Sequence, residues 1–84
     1  MASDKPSPNR IIQITIEPNR GVFVAVATYT VASRSRERRE TATTRVRALH
    51  KVISRMRRNG HGGRSYTATV DDQVMTGTIP HPNP

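Results

Sequence analysis

The sequence predicts a small α+β domain in which two β-hairpins form an antiparallel sheet and one amphipathic helix packs on it, in the order ββαββ. Three observations predict this class: two β-branched segments joined by turn residues, a stretch of apolar residues at helical spacing, and a second pair of short alternating segments. With 84 residues, no Cys and no Trp, the chain has room for one hydrophobic core, built mainly from aliphatic side chains.

Both ends of the chain are rich in Pro, Ser and Asn, and are therefore predicted to be irregular tails. The predicted organisation is a tail at residues 1–9, a single domain at residues 10–80, and a second tail at residues 81–84. No apolar run is as long as a signal peptide or a membrane span requires. We therefore expect a cytoplasmic protein that contacts no membrane.

The first hairpin is predicted from the two most β-prone segments of the chain. Residues 11–16 and 22–31 are rich in Ile, Val and Thr. Residues 17–21 between them contain Pro18, which can open a type I turn, and Gly21, which can take the left-handed position that closes a bulged hairpin.

The second strand of this hairpin is apolar on both faces. Val24 and Val26 alternate with Ala25 and Ala27, so neither face has the polar residues typical of a solvated sheet surface. One helix can cover only one face of the sheet. The other face, or a sheet edge, is therefore predicted to pair with a second copy of the chain, which would give a homodimer.

A single amphipathic helix is predicted in the middle of the chain. Its apolar residues recur at spacings of three and four, as packing on a core requires. They are Ala42, Val46, Leu49, Val52, Ile53 and Met56. Asn59 and Gly60 end the helix, because both tolerate the left-handed backbone of a helix C-terminus. The start is left open: Ser33 or Ser35 could cap a long helix, whereas the Thr residues at 41–44 favour a later beginning.

The second hairpin follows a glycine-rich connector at residues 60–63. Residues 65–70 and 73–79 alternate as strands, an acidic pair at residues 71–72 supplies the turn, and Pro80 ends the second strand. Because a turn explains this acidic pair, no metal site is predicted, and no cofactor.

The charge of the chain is strongly positive and is concentrated on the helix and the segment before it. Fourteen Lys and Arg against six Asp and Glu give a formal net charge of +8. The helix side opposite the apolar stripe carries Arg47, Lys51, Arg55 and Arg58. No Asp or Glu lies between Arg45 and Arg58. Exposed helices usually mix both signs, so this acid-free face predicts a polyanionic partner.

The sequence therefore predicts a non-enzymatic protein that binds DNA or RNA through phosphate contacts. Tyr29 and Tyr66 are the only candidates for base stacking, which favours contact with the backbone of a duplex. The predicted contact residues are Arg36, Arg38, Arg39, Arg45, Arg47, Lys51, Arg55, Arg57, Arg58 and Arg64.

Two other functions stay open at this point. The same cationic face could dock an acidic protein surface, as a small regulator or inhibitor would. A metal-independent ribonuclease would need a His beside a second proton carrier or a cation, and the candidates are His50 and His61 with Lys51 or Arg64. Against catalysis, His50 is expected to be a half-buried residue at the border of the apolar stripe.

Overall fold

The computed structural model describes residues 11–81, which form five strands and one helix. In chain order the elements are β1 (Ile12–Asn19), β2 (Val22–Val31), β3 (Arg34–Ala42), α1 (Arg45–Arg58), β4 (Ser65–Val70) and β5 (Gln73–Thr78). The strands form one sheet in the order β3-β2-β1-β4-β5, and α1 packs on it over β3 and β2. The α+β class with one helix is confirmed. The predicted tails lie outside the described residues, except for His81, which is exposed.

The sheet is mixed, which corrects the prediction of an antiparallel sheet made of two hairpins. β1 pairs with β2 in antiparallel fashion and with β4 in parallel, where Ile14 lies opposite Ala68. The cause is a third strand before the helix. Each element here reverses the chain direction, so two strands and a helix would bring β4 antiparallel to β1, whereas three strands and a helix bring it parallel.

This third strand, β3, occupies the segment that the sequence left open between a long helix and a later helix start. It pairs with β2 along its whole length, from Arg34 to Ala42, and so satisfies the backbone groups on that side of β2. The helix takes the later start. Thr44 is its N-cap, and the Thr44 hydroxyl accepts a hydrogen bond from the backbone N–H of Arg47 at 3.1 Å.

The three hairpin turns among residues 11–81 each consist of two residues with positive φ. The β1–β2 turn is formed by Arg20 and Gly21, with φ of 52° and 84°, so the predicted hairpin is confirmed but its turn is shorter than expected. Pro18 belongs to β1, where it is tolerated because the pairing of β1 with β4 ends at Ile16. The predicted β4–β5 hairpin is also confirmed, with the acidic pair at residues 71–72 as its turn.

The hydrophobic core lies between the sheet and the helix. Strand β1 contributes Ile12, Ile14 and Ile16, which alternate with exposed residues such as Gln13 and Thr15. The other buried apolar residues are Ala25, Ala27, Tyr29, Ala48, Val52, Met56, Ala68 and Ile79. Ala25 and Ala27 of β2 are small and fully buried, which leaves room for the side chains of α1 above them.

The buried side of α1 is centred on Ala48, Val52 and Met56, which follow one another at intervals of four residues. Leu49 is half-buried beside them, whereas Val46 is 63% exposed, which corrects the prediction that Val46 belongs to the apolar stripe. The buried side of α1 is rotated relative to the predicted apolar stripe, because α1 lies over the β3 side of the sheet and not over its centre.

The opposite face of the sheet is covered by no element among residues 11–81. Val24 and Val26 lie on this face with exposed Thr15, while Ala25 and Ala27 are buried beneath the helix. The two faces of β2 are thus separated as the alternation predicts. Pairing of the uncovered face or of an edge with a second copy of the chain stays a prediction.

Candidate functional site

The helix is tied to the edge strand β3 by two of its own cations. Lys51 Nζ donates to the backbone carbonyl of Thr41 at 2.9 Å, and Arg55 Nε donates to a carboxylate oxygen of Glu40 at 3.2 Å. Successive turns of α1 therefore meet earlier positions of β3, so the two elements run antiparallel. This arrangement turns the cationic side of α1 toward the edge of the sheet.

The edge strand contributes a row of Arg side chains on the same side of the sheet. In the β2–β3 register, Arg36 lies opposite Tyr29 and Arg38 lies opposite Ala27, and both β2 residues belong to the core beneath the helix. Directly opposite residues of a pair of strands share a face, so these Arg side chains extend on the helix side. Arg34 is the third member of this row. Arg34 is absent from the predicted contact residues because the sequence left this segment open between a long helix and a loop before a later helix start, whereas a two-residue period would have placed it in this row.

These two groups of cations form one continuous area, which we call the basic surface. Its members are Arg34, Arg36 and Arg38 of β3 and Arg47, Lys51, Arg55 and Arg58 of α1. Among residues 11–81, Glu40 lies between the two groups and is paired with Arg55, and Glu37 borders the surface at the end near Arg36 and Arg38. Glu37 bonds Arg39 Nε at 2.9 Å, and both are exposed.

Four of the predicted contact residues do not belong to the basic surface, namely Arg39, Arg45, Arg57 and Arg64. Arg39 lies on the opposite face of the sheet, where its alternation within β3 places it. Arg45, in the first turn of α1, bonds Asp71 at 2.8 Å, and its guanidinium lies 4.4 Å from the centre of the Phe23 ring. Arg57 is half-buried in the last turn of the helix.

Arg64 lies beyond the C-terminal end of the helix and contacts His61. Arg64 Nη1 is 3.1 Å from His61 Nδ1, and Arg64 Nη2 is 3.5 Å from the carbonyl of Thr30. A guanidinium can only donate, so Nδ1 is the acceptor and the hydrogen of the neutral imidazole is on Nε2. Burial, and then the positive charges of Arg64 and Arg38, lower the pKa of His61 below its usual value of 6.5.

The remaining candidates are placed as follows. His50 is exposed on the helix, which corrects the expectation that it is half-buried. Tyr29 is a core residue whose ring makes an edge contact with His61, at 4.7 Å between ring centres. Tyr66 is half-buried against Gly77, where a Cβ would clash with its ring. Neither tyrosine therefore presents an open ring face for a base on the basic surface.

The described residues hold neither a metal-ligand cluster nor a membrane-spanning helix. Between residues 11 and 81, no three His, Asp or Glu side chains come together as a metal site would require. No helix in this range has the length and hydrophobicity needed to cross a membrane. Comparison of the chain with protein-family models, with curated proteins and with solved structures gives no significant match.

Proposed function

We propose that the protein binds nucleic acid by its phosphate backbone, through the basic surface, and that it does so without catalysing a reaction. The observation that carries this proposal is the side-by-side position of two cationic rows from different elements. The strand row and the helix row meet at the β3 edge, and a single acid, Glu40, lies between them among the described residues. A surface that served only solubility would mix both signs of charge.

The dimensions of the basic surface suit a polyanion. Along the strand, two residues advance about 6.7 Å, which is the expected step from Arg36 to Arg38. Along the helix, Arg47 and Arg58 are separated by a rise of about 16 Å. Double-stranded DNA carries one negative charge for roughly every 1.7 Å of its axis, so several phosphates fall within this length. Guanidinium groups also bind phosphate oxygens in a bidentate geometry, which lysine cannot do.

Contact with the backbone is favoured over reading of the bases. Single-strand readers combine a cationic groove with aromatic rings on which the bases stack. On the basic surface the nearest ring is Tyr29, which is buried beneath the helix end. We therefore propose binding that tolerates changes of sequence and depends steeply on salt.

The proposal is tested best with the two helix cations that hold no position in the fold. The side chains of Arg47 and Arg58 make no hydrogen bond or ion pair with any residue between 11 and 81, unlike those of Lys51 and Arg55. The variant Arg47→Gln with Arg58→Gln should keep the fold. Its affinity for a generic 20-base-pair DNA or RNA duplex should fall by roughly tenfold per lost contact at 0.1 M salt, because each phosphate contact adds about 0.9 to the salt slope of log K.

A matched control removes the same charge elsewhere. Arg39→Gln with Arg45→Gln lowers the net charge equally, but these two cations are already paired with Glu37 and Asp71. This control should bind the duplex within about threefold of the unmodified protein, because exposed and paired charges contribute little. Equal losses in both variants, or binding that does not change with salt, would contradict the proposal. An acidic protein partner would be indicated instead if a bound protein remained after nuclease digestion.

A further inference from the structure

A cleft opens where the C-terminal end of α1 meets the end of the β2–β3 hairpin. It has a volume of about 470 Å³ and lies at one end of the basic surface. Its walls come from two strands, the helix cap and the loop that follows. They are formed by Tyr29, Val31, Arg36, Glu37, Arg38, Asn59 and His61.

The cleft contains positive charge that the fold does not neutralise. The side chains of Arg36 and Arg38 bond no other residue between positions 11 and 81. Glu37 also borders the cleft, but its carboxylate accepts a hydrogen bond from Arg39 Nε at 2.9 Å. Two guanidinium groups therefore face an open space without an acid to pair with, in a wall that also contains apolar groups.

The positive charge at the cleft also affects the pKa of His61, whose imidazole forms part of the wall. Burial lowers the pKa of His61, and the positive charges of Arg64 and Arg38 lower it further. His61 therefore stays neutral near pH 7, with Nδ1 accepting from Arg64 and Nε2–H available as a donor. An anion that entered the cleft would be attracted by the two Arg side chains and would find a further donor on the imidazole.

One effect opposes an anion here. The C-terminal end of a helix carries a partial negative charge equivalent to about half an elementary charge. In α1 this end is offset by Arg55, Arg57 and Arg58, all in the last turn. Two full charges in the cleft also outweigh half a charge at the helix end, so the net attraction for an anion remains.

We propose that this cleft binds one phosphate group of the nucleic acid, with the guanidinium groups of Arg36 and Arg38, the amide of Asn59 and Nε2–H of His61 as donors. That the phosphate belongs to a nucleic acid rests on the proposed function, whereas the binding of an anion in the cleft does not. Phosphate suits the cleft better than a single carboxylate because two cations about 6.7 Å apart along a strand can each hold different oxygens of one tetrahedral group. The group is either an internal phosphodiester or the phosphate at a strand end.

The test follows the imidazole signals of the full chain by NMR during titration with sodium pyrophosphate, then with a short duplex carrying 5′-phosphates or 5′-hydroxyls. His50, which is exposed on the helix, is the internal reference. Pyrophosphate should shift the His61 signals, raise the pKa of His61, and leave His50 nearly unchanged. A terminal phosphate is assigned if only the phosphorylated duplex reproduces the shift, and an internal phosphodiester is assigned if both do.

A neighbouring pair of residues supplies matched variants. Arg38→Gln and Arg39→Gln remove the same charge from adjacent positions of β3 that lie on opposite faces of the sheet. Both changes are made in the Glu37→Gln background, because Arg39→Gln alone would leave the Glu37 carboxylate at the cleft without its partner. In that background Arg38→Gln should weaken pyrophosphate binding by about tenfold, the value of one charge-assisted hydrogen bond, and Arg39→Gln by less than about twofold. Equal losses in the two variants, or equal shifts of His50 and His61, would overturn the cleft as a site.

Failure of this inference and failure of the proposed function give different results. If the duplex binds but Arg38→Gln behaves like Arg39→Gln, the cleft is rejected and the basic surface as a whole is retained. If no duplex binds while pyrophosphate still shifts His61 in an Arg38-dependent way, nucleic acid is rejected as the source of the phosphate. In that case the cleft is a site for a small phosphorylated ligand.

Discussion

The two outer hairpins of the sheet have the same turn geometry, but the edge strand of one is highly charged and the edge strand of the other is uncharged. In the β2–β3 hairpin, the edge strand β3 consists largely of Arg and Glu; in the β4–β5 hairpin, the edge strand β5 contains no charged residue. Charge on an edge strand commonly prevents pairing with other chains. Strand β5 is an edge without any such charge, so edge protection alone does not explain the four Arg residues of β3. The difference supports a ligand for β3.

Each of these hairpins is also joined to the helix by one ion pair. Arg55 binds Glu40 of β3, and Arg45 binds Asp71 in the β4–β5 turn. These two cations therefore help to hold the helix on the sheet. Helical spacing already separates Arg45 from Arg47 and Arg58, but it does not distinguish Arg55 from these two residues, whose charges are directed to solvent.

The largest expected effect concerns the turns. Ala32 and Ser33 have φ of 50° and 67°, and Asp71 and Asp72 have nearly the same values, 50° and 65°. Left-handed backbone costs an L-residue roughly 1–2 kcal/mol, and Asn and Gly avoid most of this cost. Replacing Ala32→Asn with Ser33→Gly should therefore raise the free energy of unfolding by about 1 kcal/mol, as measured by urea denaturation with circular dichroism.

The matching change in the other hairpin is the control. Asp tolerates the left-handed region better than Ala, so Asp71→Asn with Asp72→Gly should add less than about 0.5 kcal/mol. That variant also weakens the ion pair with Arg45, which reduces the gain further. Equal stabilisation of the two hairpins would mean that strain at Ala32 and Ser33 is not the cause.

These turns also explain which part of the fold could be predicted from the sequence. The β1–β2 and β4–β5 hairpins were found because Gly21 and Asp72 are typical turn residues. The β2–β3 hairpin was missed because Ala32 is not a typical turn residue and Ser33 fits a helix N-cap as well as a turn, so no clear local signal separated β2 from the charged segment after it. Without β3, the number of elements between β1 and β4 changes from three to two. The predicted direction of β4 relative to β1 was therefore antiparallel, whereas the two strands are parallel.

The candidate site was predicted in a similarly partial way. The helix period identified Arg47, Lys51, Arg55 and Arg58 as one face, because α-helical spacing depends only on local sequence. Their separation into cations that bind β3 and cations directed to solvent depends on where the helix packs. That packing involves core residues of β2 such as Ala25 and Ala27, which lie far from the helix in sequence.

The two ion pairs should differ in strength, and double-mutant cycles measure the difference. Glu40 is the most buried of the four partners, with 20% of its side chain exposed, whereas Asp71 is 60% exposed. Solvent weakens an ion pair, so the cycle of Arg55→Gln and Glu40→Gln should give a coupling of about 0.5–1 kcal/mol. The cycle of Arg45→Gln and Asp71→Asn should give only about 0.2–0.4 kcal/mol.

The cycle design matters most for Arg45, because its guanidinium also lies over Phe23. The single variant Arg45→Gln loses this cation–π contact, which can contribute about 0.5–1 kcal/mol at an exposed site. The contact is lost in both legs of the cycle and cancels, so the coupling reports the ion pair alone. A coupling for Arg45 and Asp71 as large as that for Arg55 and Glu40 would contradict the comparison of burial.

The smallest effect is a pH dependence that arises where the two hairpins are connected. His61 follows the helix, precedes β4, and contacts Tyr29 of β2, with Arg64 and Arg38 as its charged neighbours. Its pKa is lower in the folded protein than the value of 6.5 expected in the unfolded chain. As the pH falls below 6.5, the unfolded chain takes up the proton first, so the folded state loses stability until the pH reaches the lower, folded pKa.

Urea denaturation between pH 7.5 and 5.5, in a buffer without phosphate or sulfate, measures this slope. His61→Asn should remove part of the slope. The slope itself is the readout, because His61→Asn also alters packing against Tyr29 and shifts stability at every pH. The same measurement with pyrophosphate present also tests the cleft. If the cleft binds pyrophosphate, the anion makes protonation of His61 more favourable in the folded state. The loss of stability on acidification should then diminish in the unmodified protein but not in Arg38→Gln.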